Sequence, residues 1–147
     1  MIEAFRQLFV RDLKKLKIEI ESYKSEQNIW KVDGQIANTA GNLCLHLVGN
    51  LNTYIGKELG GTGYVRNRDL EFSQKDVPQK ELIQKVEQTI EVVDQSLAKL
   101  NDDILQKEYP LLVYETKSTT GFMLGSLLAH LGYHLGQINY HRRLLDK

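Results

Sequence analysis

Gly121–Leu145 reads GFMLGSLLAHLGYHLGQINYHRRLL, the longest apolar run of the chain and the carrier of three of its four histidines. Leu124, Leu127, Leu128, Leu131, Leu135 and Ile138 recur at three- and four-residue steps, the period of a helix that buries a wide face. His130 and His134 fall one turn apart on that helix, with Cβ atoms about 5–6 Å from each other. Both imidazoles can therefore reach one divalent ion at about 2.0–2.1 Å per nitrogen. His141 shares their azimuth but lies about 10 Å further along the axis, too far for the same ion. The simpler alternative is a pair of hydrogen-bonded core imidazoles, and this helix alone does not separate the two. Gly125, Gly132 and Gly136 each cost about 1 kcal/mol relative to alanine inside a helix. Gly132 and Gly136 point away from the histidines, so a close helix neighbour is expected on that side, within the bundle or across a dimer.

A chain of 147 residues is long enough to bury one real core and too short for two, so residues 1–147 are read as one domain. Lys+Arg and Asp+Glu both number 19, which leaves zero formal net charge and no global field for nucleic acid or anionic lipid. Cys44 is the sole cysteine, which excludes an intrachain disulfide and a cysteine-rich zinc site and fits a reducing compartment. The opening MIEAFRQLFVRDLKKL mixes charges every few residues and lacks the apolar core of a signal peptide. No run reaches the length of a membrane span. A soluble, cytoplasmic protein is expected.

Taken in order, the chain starts with an amphipathic helix from Ile2 to about Lys24, whose apolar face is Phe5, Leu8, Phe9, Leu13, Leu16, Ile20 and Tyr23. Trp30 is expected to cover the end of the bundle. A second, mostly apolar helix runs from about Asn38 to Lys57. Asn42, His46 and Asn50 interrupt it at four-residue spacing as a polar stripe, and buried polar groups need partners. A metal with amide support satisfies the stripe; so does an asparagine–histidine hydrogen-bond ladder. Cys44 lies on nearly the opposite face and reads as a small core side chain. Leu59–Val77 shows no sustained period and reads as a long connection, one able to return the chain so that consecutive helices run parallel. Within it Arg66, Arg68 and Glu71 are either a surface ion-pair cluster or a site where an arginine clamps a substrate carboxylate. Pro78 opens a third helix with its seam at Leu82, Val86, Ile90, Val93, Leu97 and Leu100. Asn101–Lys117 reads as an extended segment or short hairpin, and Ser118, Thr119 or Thr120 caps the last helix.

One histidine on the second helix and a spaced pair on the last form a tripod that a four-helix bundle can bring together. GNLCLHLVGNL (Gly41–Leu51), GGTGYVRNRDLEF (Gly60–Phe72) and HLGYHLGQI (His130–Ile138) together resemble the DinB/YfiT-like superfamily of metalloenzymes. Within it they are most similar to a subgroup in which the asparagine-rich histidine motif precedes the paired-arginine EF motif. The resemblance spans nearly the whole chain. It implies an all-α fold, a four-helix bundle of up-down-down-up topology with a long crossover between the second and third helices, assembled as a homodimer. It also implies His46, His130 and His134 as ligands of a divalent metal (Zn, Ni, Fe or Mn), with Gln137 supporting the site from behind in an H-x-G-Q pattern.

Three neutral histidines leave coordination positions open, as catalytic sites do. A bound ion lowers the pKa of a water or thiol and so supplies a nucleophile at neutral pH. Zinc-protease helices place a glutamate directly after their first histidine, whereas Leu131, Gly132 and Tyr133 stand here. Peptide hydrolysis by that route is not expected. Some members of the resembled superfamily are thiol S-transferases and others resemble metal-dependent hydrolases. The expected function is transfer of a low-molecular-weight thiol to a small electrophile. Asn42 and Asn50 would support the ligands or a bound molecule, Arg66 or Arg68 would hold a thiol's carboxylate, and Glu71 or Glu115 would be candidate bases. A metal-dependent hydrolase of small substrates and a non-catalytic, metal-binding dimer are the alternatives. Neither nucleic acid nor a membrane is an expected partner.

Overall fold

The computed structural model describes residues 1–147. Five α-helices form it: α1 (Ile2–Glu21), α2 (Ala40–Leu51), α3 (Arg68–Ser73), α4 (Gln79–Ala98) and α5 (Thr120–Leu145). Two 3-10 turns, Glu26–Trp30 and Asp102–Gln106, lie between them. No strand forms, and an isolated antiparallel bridge joins Glu108 to Thr119.

The expected elements are present with shifted edges. The first helix stops at Glu21, where the Ser22 hydroxyl turns back onto the Ile18 carbonyl at 2.6 Å. The second begins at Ala40, because the Thr39 side chain caps it by accepting from the Asn42 amide at 3.0 Å. Its last part, Asn52–Lys57, widens into a π-helical turn. The connection expected to lack structure contains α3, a single short helix capped by the Asn67 side chain. One helical turn carries too few residues for a hydrophobic period to register. The Asn101–Lys117 stretch is a 3-10 turn and loop, held to α5 by Thr120 N–H donating to the Lys107 carbonyl at 2.8 Å. Of the three candidate caps of α5, Thr119 serves, accepting from the Phe122 amide.

The four long helices each pack against two others. Arg6 meets Asp94 at 2.7 Å and Lys17 meets Glu87 at 2.9 Å, so α1 runs antiparallel to α4. Asn52 on the π turn that extends α2 donates to Thr89 at 2.9 Å, and Gly60 abuts Ser96, so α2 and α4 run in one direction. Leu43 faces the Gln137–His141 turn while His46 faces His130, so α2 opposes α5. The far ends of α1 and α5 lie side by side, where Glu19 takes Asn139 and Arg142 at 2.6 and 2.8 Å. Beyond them, Asp146 accepts from the backbone amides of Lys24 and Ser25 and from the Asn28 side chain. The arrangement is all-α and compatible with a four-helix bundle, with one core around Phe9, Leu13, Leu47, Leu82, Leu97 and Leu131. No helix is long and apolar enough to cross a membrane.

Two glycine-related expectations resolve differently. Trp30 lies against Gly41 at the start of α2, as a side chain covering the bundle's end would. At Gly125, Gly132 and Gly136 a Cβ would meet nothing within 4 Å, and Gly132 and Gly136 line an open groove shared with Arg11, Lys15 and Ile18 of α1. They share the outer face of α5 with exposed Phe122, Tyr133 and Tyr140.

Candidate metal centre

All of α2 is buried, including Asn42, His46 and Asn50. The polar stripe therefore had to be matched from outside the helix, and α3 and α5 supply the partners. His46 Nε2 and His134 Nε2 each lie 3.1 Å from His130 Nε2. The three ligand atoms fall within 4.8 Å of one another. Ring planes cross at 80°, 88° and 90°, so the imidazoles converge on edges instead of stacking. Nitrogens bound at about 2.0–2.1 Å to a tetrahedral ion stand about 3.3 Å apart, close to this spacing.

The outer nitrogens fix what the inner ones can do. Glu71 Oε1 accepts from His46 Nδ1–H at 3.0 Å, and Gln137 Oε1 accepts from His134 Nδ1–H at 2.7 Å. A neutral imidazole protonated on Nδ1 presents a bare lone pair at Nε2. Two lone pairs thus face His130 Nε2. One proton there cannot satisfy both, and the His130 Nδ1 atom is itself buried without a partner. Burial, with the neighbouring His134, His46 and Arg66, pushes His130 down to about 4. Burial likewise lowers His134, against the opposing Gln137 hydrogen bond. Three converging imidazoles, with His130 and His134 held neutral by burial, fit a divalent cation, and a carboxylate behind a ligating histidine is the usual support for one.

Glu71 holds more than one partner. Burial alone would raise its carboxyl, but the hydrogen bonds from His46 and Arg66 prevail and hold it below the usual carboxylate range. Arg66 binds it with two prongs, Nε to Oε2 at 2.8 Å and Nη2 to Oε1 at 2.9 Å. The carboxylate reaches His46 because Gly49 has no side chain: a Cβ there would overlap it. Phe72, one residue on, lays its ring 4.9 Å from that of His46, and the exposed Arg68 guanidinium lies 5.9 Å from the Phe72 centroid.

The expected site residues accordingly divide. His46, His130, His134, Glu71, Gln137 and Arg66 form one hydrogen-bonded cluster. Asn42 stands apart from it: its amide donates to the Glu71 and Gln74 carbonyls and its oxygen accepts from Thr39 and Lys75, which pins α3 to α2. Asn50, one turn past His46, is 7% exposed, and its Oδ1 has no partner. Glu115 is exposed on the loop before α5, outside the cluster. Cys44 is fully buried, and burial pushes its thiol up to about 12, which leaves it inert. His141 is also outside the cluster; the Tyr23 hydroxyl sits 2.7 Å from its Nδ1, and its Nε2 donates to the Lys31 carbonyl at 2.8 Å. The sequence reading missed Gly49, whose signal was an isolated glycine within a buried helix.

A family model described as a protein of unknown function, DUF1572, matches residues 2–147. No curated protein and no solved structure matches the chain.

Proposed function

We propose that this chain, which belongs to the DUF1572 family, is a metal-dependent enzyme of the DinB-like kind. Its site would hold a divalent ion on His46, His130 and His134 and join a low-molecular-weight thiol to a small electrophile. One observation carries the reading: Glu71 and Gln137 hold two histidines in the tautomers that aim bare Nε2 lone pairs at a third Nε2, 3.1 Å from each. A single proton on His130 Nε2 leaves one of the two facing lone pairs unsatisfied, whereas a cation would take up all three. The antiparallel and parallel contacts among α1, α2, α4 and α5 support the up-down-down-up bundle that such proteins have.

A divalent ion held there would lower the pKa of a coordinated thiol into the neutral range. The residues around it do the rest. Glu71 keeps the His46 ring oriented and its outer nitrogen protonated, and Arg66 keeps Glu71 ionised. Because Glu71 is spent on these two partners, the cluster has no free carboxylate to act as a general base. That supports attack by a metal-lowered thiolate over hydrolysis of a substrate whose leaving group must be protonated, since no free acid or base stands in the cluster to do so. Arg66 is likewise committed to Glu71, so Arg68 is the better candidate to receive a thiol cofactor's carboxylate. Asn50, with its oxygen unpaired, is the candidate to accept a hydrogen bond from a bound molecule.

The homodimer is proposed on the outer face of α5, where Gly125, Gly132 and Gly136 border open space and Phe122, Tyr133 and Tyr140 are exposed. A non-catalytic metal-binding dimer is the second reading, favoured by the same face. The test is metal content of the chain purified without a histidine tag or chelator, beside His46→Ala and His130→Ala. The expected result is about one ion per chain, lost in both variants with helicity unchanged. Failure to take up Zn, Ni, Fe or Mn would end the metal reading. Thiol-dependent loss of an electrophile, abolished in a folded His134→Ala chain, separates enzyme from structural dimer.

A further inference from the structure

A cavity of roughly 390 Å³ lies between the segment before α2 and the second half of α5, within the range of small-molecule sites. Ile36, Leu43, Tyr140 and Leu144 form its apolar walls. A turn closed by Ile36 N–H donating to the Asp33 carbonyl at 2.9 Å, with Gly34 at a φ of 55°, carries Ile36 to the wall. No residue lining the cavity carries a formal charge when His141 is neutral. A carboxylate, phosphate or ammonium would be desolvated there without compensation.

The polar groups of the lining are specific about what they offer. Both nitrogens of His141 are taken, by Tyr23 and by the Lys31 carbonyl, so it presents only ring surface. Gln137 gives its oxygen to His134 and makes no other side-chain hydrogen bond, which leaves its NH₂ as a donor at the cavity. Asn38 and Gln35 contribute further neutral amides. Gln137 is also the link to the histidine cluster: it follows His134 by three residues, about 4.5 Å along the axis.

We infer that this cavity binds an uncharged, largely apolar small molecule that carries a carbonyl or similar acceptor for the Gln137 amide. Binding itself is independent of any metal. The further assignment, that the molecule is the apolar body of the substrate handled at the histidine cluster, rests on the metal reading above.

Acedan, a neutral naphthalene ketone whose emission shifts to the blue in apolar surroundings, is the probe. The chain, metal-free and metal-loaded alike, should bind it saturably at a single site. Ala37→Trp, which fills the cavity, and Ile36→Asp, which puts a charge in its wall, should weaken binding by at least about tenfold with helicity unchanged. Phe122→Lys and Tyr133→Lys, on the outer face of α5, should leave it unchanged. No saturable binding, binding that survives both cavity variants, or binding lost with the outer-face variants overturns the cavity as a site. With cobalt(II) in the cluster, saturating acedan should alter the visible spectrum of the wild type and leave that of Ala37→Trp unmoved. A cobalt spectrum indifferent to bound acedan overturns the substrate assignment, whereas failure to bind cobalt strikes the metal reading and leaves the cavity result standing.

Discussion

Helices α2 and α5 face each other across the histidine cluster, yet their glycines live in opposite surroundings. On α2 the missing side chains are occupied by neighbours: the Trp30 indole lies against Gly41, and the Glu71 carboxylate enters the space at Gly49. On α5, Gly125, Gly132 and Gly136 border only open space. The same local cost, about 1 kcal/mol per helical glycine, is thus offset on α2 by contacts within the chain and at these three α5 positions by none, whereas Gly121 in the first turn of α5 abuts Leu105. A glycine in a helix states that something comes close; it does not state whether that something belongs to the same chain.

The sharpest way to break the comparison is Gly49→Ala. The added methyl group overlaps Glu71, so the carboxylate must leave the His46 ring and strand Arg66 and His46 half-buried. A loss of about 2–3 kcal/mol is expected, read as a fall in denaturation midpoint, together with weakened metal uptake. Should the variant keep wild-type stability and metal content, α2's glycine would be as idle as those of α5. Next in size is Glu71→Gln, which keeps the shape but removes the charge. Metal affinity should drop by about 10–100-fold in a competition titration while helicity persists, as for the loss of a carboxylate behind a ligating histidine.

Gly132→Ala and Gly136→Ala sharpen the comparison from the other side. In a single chain each should raise stability by about 0.5–1 kcal/mol, because nothing meets the new methyl group and the unfolded chain loses freedom. If two copies pair through this face, the sign reverses: sedimentation would show weaker association, and stability would fall with dilution.

The smallest effect concerns His141, which is not part of the cluster. Burial holds its pKa below the ordinary value, so the unfolded chain binds the proton more readily. Its contribution to stability is therefore whole above about pH 6.5 and is lost as the pH falls from there through the depressed folded value. His141→Gln should shrink the drop in melting temperature between about pH 7 and about pH 5, measured as a difference from wild type. An unchanged slope would assign the acid sensitivity to other groups.

How much of this could be read in advance depended on repetition. The seams of α1, α4 and α5 recur over five or more turns, and periodicity finds such helices to within a few residues. The three histidines were legible because two share a helix face and the third breaks an apolar run. What escaped depended on single residues in three dimensions. Arg66 and Glu71 were visible as a charged pair, but whether they clamp a substrate or each other turns on α3, whose one turn has no period to detect. Gln137 was expected behind the ligands; its bond to His134 is a matter of rotamer, which spacing does not fix. The emptiness beside the α5 glycines could not be read at all, since a sequence does not say which neighbours a helix lacks.

The contact of Asp146 with Lys24, Ser25 and Asn28 bears on the order of assembly. It joins positions 122, 121 and 118 residues apart, against 88 or fewer for the Arg6–Asp94 and Gln79–Ile20 contacts of α1 with α4. Loop closure over that span adds little to the equilibrium cost, since each doubling of length adds only about 0.6 kcal/mol, but distant pairings form slowly. α1, α2 and α4 can therefore associate during synthesis before α5 has emerged. Two of the three histidines arrive with that last helix, so the nascent protein carries His46 and its Glu71 partner for a time with no cluster to join.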